Sequence, residues 1–145
     1  MIIKQISVFI ENKAGRLAEI TDIIAKNNIN MRALSLADTS HFGILRIIVD
    51  DADSVEKILK ENNIMVSVTS VISICVEDRP GGLAEILKLL AAENIAIEYL
   101  YAFVSKQKQK HNQNGDKAYV IMRMEEDFRA VEILKKAGYE GLNIE

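Results

Sequence analysis

The sequence predicts an α+β fold of two tandem β-α-β-β-α-β units, and three observations predict it. First, ISVFIENKAGRLAEITDIIAKNNINMRALSLA, beginning at Ile6, realigns without a gap on ISICVEDRPGGLAEILKLLAAENIAIEYLYAF, beginning at Ile72, with 12 of 32 positions identical. A repeat at fixed offset marks a duplicated structural unit. Second, each copy alternates runs of strand period with runs of helical period in the same order. Third, the junction SVTSVIS, beginning at Ser67, has no glycine- or proline-rich linker, so one copy (1–69) runs directly into the next (70–145).

In the first copy, Ile6-Ser7-Val8-Phe9-Ile10 is mostly apolar and β-branched or aromatic, the composition of a strand. It stops at Glu11-Asn12-Lys13-Ala14-Gly15. From Arg16 the period becomes helical: Leu17, Ile20 and Ile24 share a face, and Asn27-Asn28 close it. Residues 29–37 and 44–49 are extended runs on either side of turn residues 38–43, so they pair as a hairpin. A second helix follows, with capping-box spacing at Asp53 and Glu56 and an apolar stripe of Val55, Ile58 and Leu59. Asn62-Asn63 end it before a strand at 65–68.

The second copy repeats the order: strand 72–76, loop 77–82, helix 83–93, strands 95–104 and 118–124, helix 127–137 and strand 139–144. After its second strand the offset grows from 66 to 76, which lengthens the hairpin loop SKQKQKHNQNGDK. That loop carries Lys106, Lys108, Lys110 and Lys117 and the turn signal Asn114-Gly115. It reads either as a solvated tip or as a contact for an acidic partner or phosphate.

Two such units, each an antiparallel sheet with two helices on one face, form the ferredoxin-like arrangement. Its second strand lies at a sheet edge, and exposed edges must be covered. Pairing residues 30–37 with 96–103 would cover both edges. The result would be an eight-stranded antiparallel sheet about a pseudo-twofold axis, with the helices on one face.

Composition narrows the function. The chain has 145 residues, 49% of them hydrophobic, and a formal net charge of −3 with acids and bases interspersed. That balance argues against nucleic acid or anionic membrane as the main partner. The start MIIKQISVFIEN enters strand pattern without a cleavage site, and no apolar run approaches a membrane span, so a cytoplasmic protein is expected. Cys75 stands alone on a strand and reads as a small buried apolar residue. His41 and His111 fall in predicted loops without a companion at ligand spacing, so neither a metal nor a cofactor is expected.

No nucleophile-base pair, paired carboxylates or cofactor fingerprint is evident, and the protein is not expected to be an enzyme. The repeated loop is the most informative candidate: Glu11-Asn12-Lys13-Ala14-Gly15-Arg16-Leu17 matches Glu77-Asp78-Arg79-Pro80-Gly81-Gly82-Leu83. Glycine permits a tight turn, and the first helical turn presents N–H groups suited to a carboxylate. An oxygen of Asn12 or Asp78 suits an ammonium group. Those are the two handles of an α-amino acid, although the same residues would equally serve to cap a helix.

At these residues the sequence resembles the ACT domain family, in two tandem copies. The elements are Asn12, Gly15, Leu17 and Asn28-Ile29-Asn30 in one copy, and Asp78, Gly81, Leu83 and Asn94-Ile95-Ala96 in the other. The resemblance implies an amino acid bound where the first loop of one unit meets the second strand of its neighbour. It places Asn12, Lys13, Ala14, Gly15, Arg16 and Leu17 in one loop site. Asp78, Arg79, Pro80, Gly81, Gly82 and Leu83 form the other, with Asn30 and Met31 or Ala96 and Ile97 on the facing strand. Ala96 lacks the polar head of Asn30, so the two sites are expected to differ, with the Asp78 loop and Asn30 the tighter.

The resemblance further implies a non-catalytic regulatory protein that binds a free amino acid and acts through a partner enzyme of amino-acid metabolism or through its own homodimeric assembly. The first loop also resembles the regulatory subunit of acetolactate synthase, but the second half departs from it. A ligand-free structural module is a further alternative. Tyr99, Tyr101 and Phe103 alternate along one face of the second copy, as aromatic contacts for a ligand or for another sheet.

Overall fold

The computed structural model describes residues 1–38, 41–105 and 117–142. The chain divides between Ser70 and Val71 into two compact units, with Met1–Ile3 joining the second. The first unit contains β1 (Ile2–Glu11) from Lys4 onward, α1 (Arg16–Lys26), β2 (Met31–Asp38), β3 (Phe42–Val49), α2 (Ala52–Glu61) and the start of β4 (Val66–Glu77). The second contains the rest of β4, α3 (Gly82–Ala92), β5 (Ile97–Ser105), β6 (Lys117–Met124) and α4 (Asp127–Lys136). No described helix is long and apolar enough to cross a membrane.

Alternation decides which face of each strand is buried. In the first unit Ile6, Val8, Ile10, Leu45, Ile47 and Val49 point to the helices and pack on Ile20, Ile24, Val55 and Leu59. In the second, Ile72, Ile74, Val76, Val120, Met122 and Met124 meet Ile86, Leu90, Ala130 and Leu134. Each unit therefore has its own core.

All four helices stop by the same device. Asn28, Asn63, Asn94 and Gly138 adopt positive φ just past the helix ends. The next residue then donates its N–H back into the helix: Ile29 to Ile24, Ile64 to Leu59, Ile95 to Leu90 and Tyr139 to Leu134. This is the Schellman motif, in which an apolar residue after the turn also packs on the last helical turn. The Asn27-Asn28 and Asn62-Asn63 pairs read as helix ends in the sequence lie in these motifs.

The cap of α2 differs from expectation. Asp51, not Asp53, is the N-cap: its carboxylate accepts from the Ser54 N–H at 3.0 Å and from the Ser54 hydroxyl at 2.6 Å. Asp53 pairs with Lys4 at 2.7 Å and Glu56 with Lys60 at 2.6 Å. The extended backbone of Asp51 puts its side chain over the first turn, which the helical residue Asp53 cannot do.

The strand count also differs. Among the described residues the strands are hydrogen-bonded in the order β2-β3-β1-β4-β6-β5, six rather than the eight expected. The strands expected at 65–68 and 72–76 are one strand, β4, because no turn residue interrupts the run between them. The strand expected at 139–144 carries no strand assignment over 139–142, although the Glu140 carbonyl accepts from the Cys75 N–H at 2.7 Å. Residues 143–145 lie outside the described residues, as does the lysine-bearing part of the loop at 106–116. β2 and β5 occupy the two ends of the order, so the expected pairing of 30–37 with 96–103 is not made within the chain.

Candidate functional site

Both repeated loops fold the same way. In the first, the Lys13 N–H donates to the Glu11 carbonyl at 2.8 Å, Arg16 to Lys13 at 3.2 Å and Glu19 to Gly15 at 2.9 Å. In the second the matching bonds are Arg79 to Glu77 at 2.9 Å, Gly82 to Arg79 at 3.1 Å and Glu85 to Gly81 at 3.0 Å. Gly15 and Gly81 are the N-cap residues, left-handed at φ 85° and 90°, and as glycines they offer no capping side chain of their own. A left-handed residue at this position favours glycine, which accounts for its recurrence.

The loops differ in charge. In the first, Lys13 pairs with Glu11 and Arg16 with Glu19 at 2.7 Å. The Lys13 ammonium, hydrogen-bonded to Glu11, holds that carboxyl below the usual range. In the second, Arg79 alone bridges Glu77 at 2.5 Å and both oxygens of Glu85 at 2.9 Å, which raises its already high pKa. Gly82 takes the place of Arg16 because a Cβ there would lie 2.4 Å from the Glu77 carbonyl oxygen. Asn12, Lys13, Ala14, Leu17, Asp78, Arg79 and Pro80 are exposed, and Arg16 and Leu83 are half-buried.

The strand residues named with these loops stand elsewhere. Glu11, at the loop, is opposite Phe42, whereas Met31 is opposite Val49 at the other end of β3. In the second unit Glu77 is opposite Lys117, and Ile97 opposite Met124. Seven residues of strand separate the two ends, about 23 Å. Within a unit, then, the loop is not brought to Asn30 and Met31, or to Ala96 and Ile97. Asn30 and Ala96 are exposed, and Met31 and Ile97 half-buried.

A cavity that the sequence reading missed lies in the first unit. It has a volume of about 590 Å³ and is lined by Phe9, Ile10, Glu11, Arg16, Ala37, Phe42, Gly43, Ile44, Arg46, Asn63 and Met65. Phe9, Ile44 and Arg46 belong to the sheet face turned away from the helices, since their neighbours Val8, Leu45 and Ile47 fill the core. Phe9, Phe42 and Met65 are exposed at 44%, 64% and 71%.

The corresponding place in the second unit carries aromatic rings. Ala37 is opposite Ile44, and its repeat counterpart Phe103 is opposite Tyr119. The Phe103 and Tyr119 rings stack with centroids 5.4 Å apart. Cys75, the counterpart of Phe9, lies opposite Tyr119 and is half-buried rather than buried; desolvation pushes its thiol pKa up. A signal for the cavity was present in the sequence. Ala33, Ser35 and Ala37 align with Tyr99, Tyr101 and Phe103, so one copy is small where the other is aromatic. Among the described residues, no group of His, Cys, Asp and Glu could hold a metal ion.

A family model described as an ACT domain pair matches residues 1–139. Among solved structures, protein BT0572 from Bacteroides thetaiotaomicron is 42% identical, over 98% of this chain and 92% of its own, with a TM-score of 0.87. The ligand-free regulatory subunit of aspartate kinase from Thermus thermophilus is 13% identical over 94% of this chain and 97% of its own, with a TM-score of 0.60. The corresponding subunit from Thermus flavus is 14% identical, covers 95% of each chain and has the same TM-score of 0.60. These last two likenesses are of fold. No curated protein matches the chain.

Proposed function

We propose that this chain, which belongs to the ACT domain pair family, is a non-catalytic regulatory protein that binds a free amino acid at its glycine loops. The observation that carries this reading is the twice-made loop. A left-handed glycine opens each helix, close in sequence to the exposed residues Asn12 or Asp78. The helix start suits the ligand carboxylate, and the side-chain oxygens of those residues suit its ammonium.

The fold shared with aspartate kinase regulatory subunits fits an output through a separate enzyme of amino-acid metabolism. Each edge strand, β2 and β5, is bonded on one side only in the strand order. A second copy of the chain pairing along such an edge would bring a strand start such as Asn30 to a loop. Ligand would then act by favouring one assembly over another, by about 1 to 3 kcal/mol of coupling. A ligand-free assembly module is the second reading, favoured by Ala96, which has no polar head for an amino acid.

The test is a thermal-shift screen against the twenty amino acids. A ligand at 100 times its dissociation constant adds about 2.7 kcal/mol of stability. One clear hit is expected; no response to any amino acid would leave the assembly module standing instead.

A further inference from the structure

The cavity on the first unit's sheet face stands apart from the loop reading and asks for a ligand of different shape. Its counterpart in the second unit is occupied by the chain's own aromatic ring, Phe103 stacked on Tyr119. In the first unit the two positions are Ala37 and Ile44, so the ring is missing and a cavity of about 590 Å³ is present. That volume falls in the range of small-molecule sites, which combine apolar walls with a few placed polar groups. Here the apolar walls include Phe9, Ile44, Phe42 and Met65.

The polar groups carry a sign. Two guanidiniums, Arg46 and Arg16, the latter paired with Glu19, line the cavity with one carboxylate, Glu11, which is held by Lys13. Arg46 is half-buried on β3, in register with Ser7 and Ser35, where a charge-assisted bond to a carboxylate is strong. We propose that this cavity binds a small aryl carboxylate, with the ring taking the place that Phe103 fills in the second unit and the carboxylate meeting Arg46.

The experiment is a titration of the full chain with phenylacetate and with neutral phenylacetamide, followed by amide chemical shifts of residues 9, 37, 42 and 44. Phenylacetate is expected to shift these signals and to bind more tightly than the amide. Ala37→Phe supplies the missing ring and is expected to weaken binding at least about tenfold. Phe42→Ala, at an exposed wall position, should weaken it several-fold without a folding penalty. Arg46→Met should remove the preference for phenylacetate and leave the amide's binding in place.

Absence of any shift at these residues overturns the proposal, as does an Ala37→Phe chain that binds like wild type. So does a dimer through this face that Phe42→Lys dissociates and that takes up neither probe. The loop reading fails separately: Asp78→Ala leaves phenylacetate binding unchanged, whereas an amino-acid response that survives Ala37→Phe and is lost in Asp78→Ala belongs to the loops.

Discussion

Gly82 lies so close to Glu77 that a Cβ on it would stand 2.4 Å from the Glu77 carbonyl oxygen. The contact is with backbone, which cannot swing aside as a side chain can. At the matching position of the first loop, Arg16 is accommodated. Although the two turns share one hydrogen-bond pattern, the second leaves no room for a Cβ at this position.

Gly82→Ala is expected to destabilise the protein by about 1 to 3 kcal/mol, the cost of forcing atoms into a packed site. Gly15→Ala meets no atom within 4 Å and should cost only the left-handed backbone penalty, about 1 to 2 kcal/mol. Urea unfolding of both variants measures the difference. A Gly82→Ala chain as stable as wild type would show that the loop opens freely.

The asparagines that end the helices make a second test. Asn63 is at φ 57°, so Asn63→Val should cost about 1 to 2 kcal/mol, while Asn63→Gly should be neutral or slightly stabilising. Thermal melts of the pair read the sign. Equal losses would place the effect in the side chain rather than in the backbone.

Asp51 gives the pH dependence its sign. Hydrogen bonds from the Ser54 hydroxyl, then from the Ser54 N–H, hold its carboxyl below the usual aspartate range. A depressed folded pKa gives stability that is fully present above the unfolded value of about 3.9 and is lost as pH falls through the folded value. Asp51→Asn keeps an N-cap oxygen but does not titrate. Its deficit against wild type should therefore be larger at neutral pH than in strong acid, and a deficit independent of pH would refute the assignment.

For ligand, the two loops are expected to be unequal. Asp78 offers a carboxylate to an ammonium group where Asn12 offers an amide, so Asp78→Ala should cost more affinity than Asn12→Ala, by about tenfold, or 1.4 kcal/mol. Calorimetry with the amino acid found in the thermal screen makes the comparison. Equal losses would reject the inequality.

Much of this molecule was legible in its chain. The helices and most strands lie near where the apolar period places them, since Ile20 and Ile24, or Ile72 and Ile74, reveal their shared faces by spacing alone. The glycine turns and the Asn-Asn helix ends were legible because left-handed backbone restricts residue type locally. The N-cap of α2 was not, because Asp51 and Asp53 both suit a first turn and only the backbone at Asp51 selects it.

What the sequence determined by itself was the duplicated unit, its element order, its two glycine loops and the family. Tertiary structure alone decided that β4 is one strand, that β2 and β5 end the strand order, and that Ala37 faces a cavity where Phe103 meets a ring. The physical reason is range. Periodicity and turn chemistry act between near neighbours in the chain. Strand partners and cavities depend on which distant residues stand opposite one another, and the pairing across β2 and β3 sets Ala37 beside a cavity.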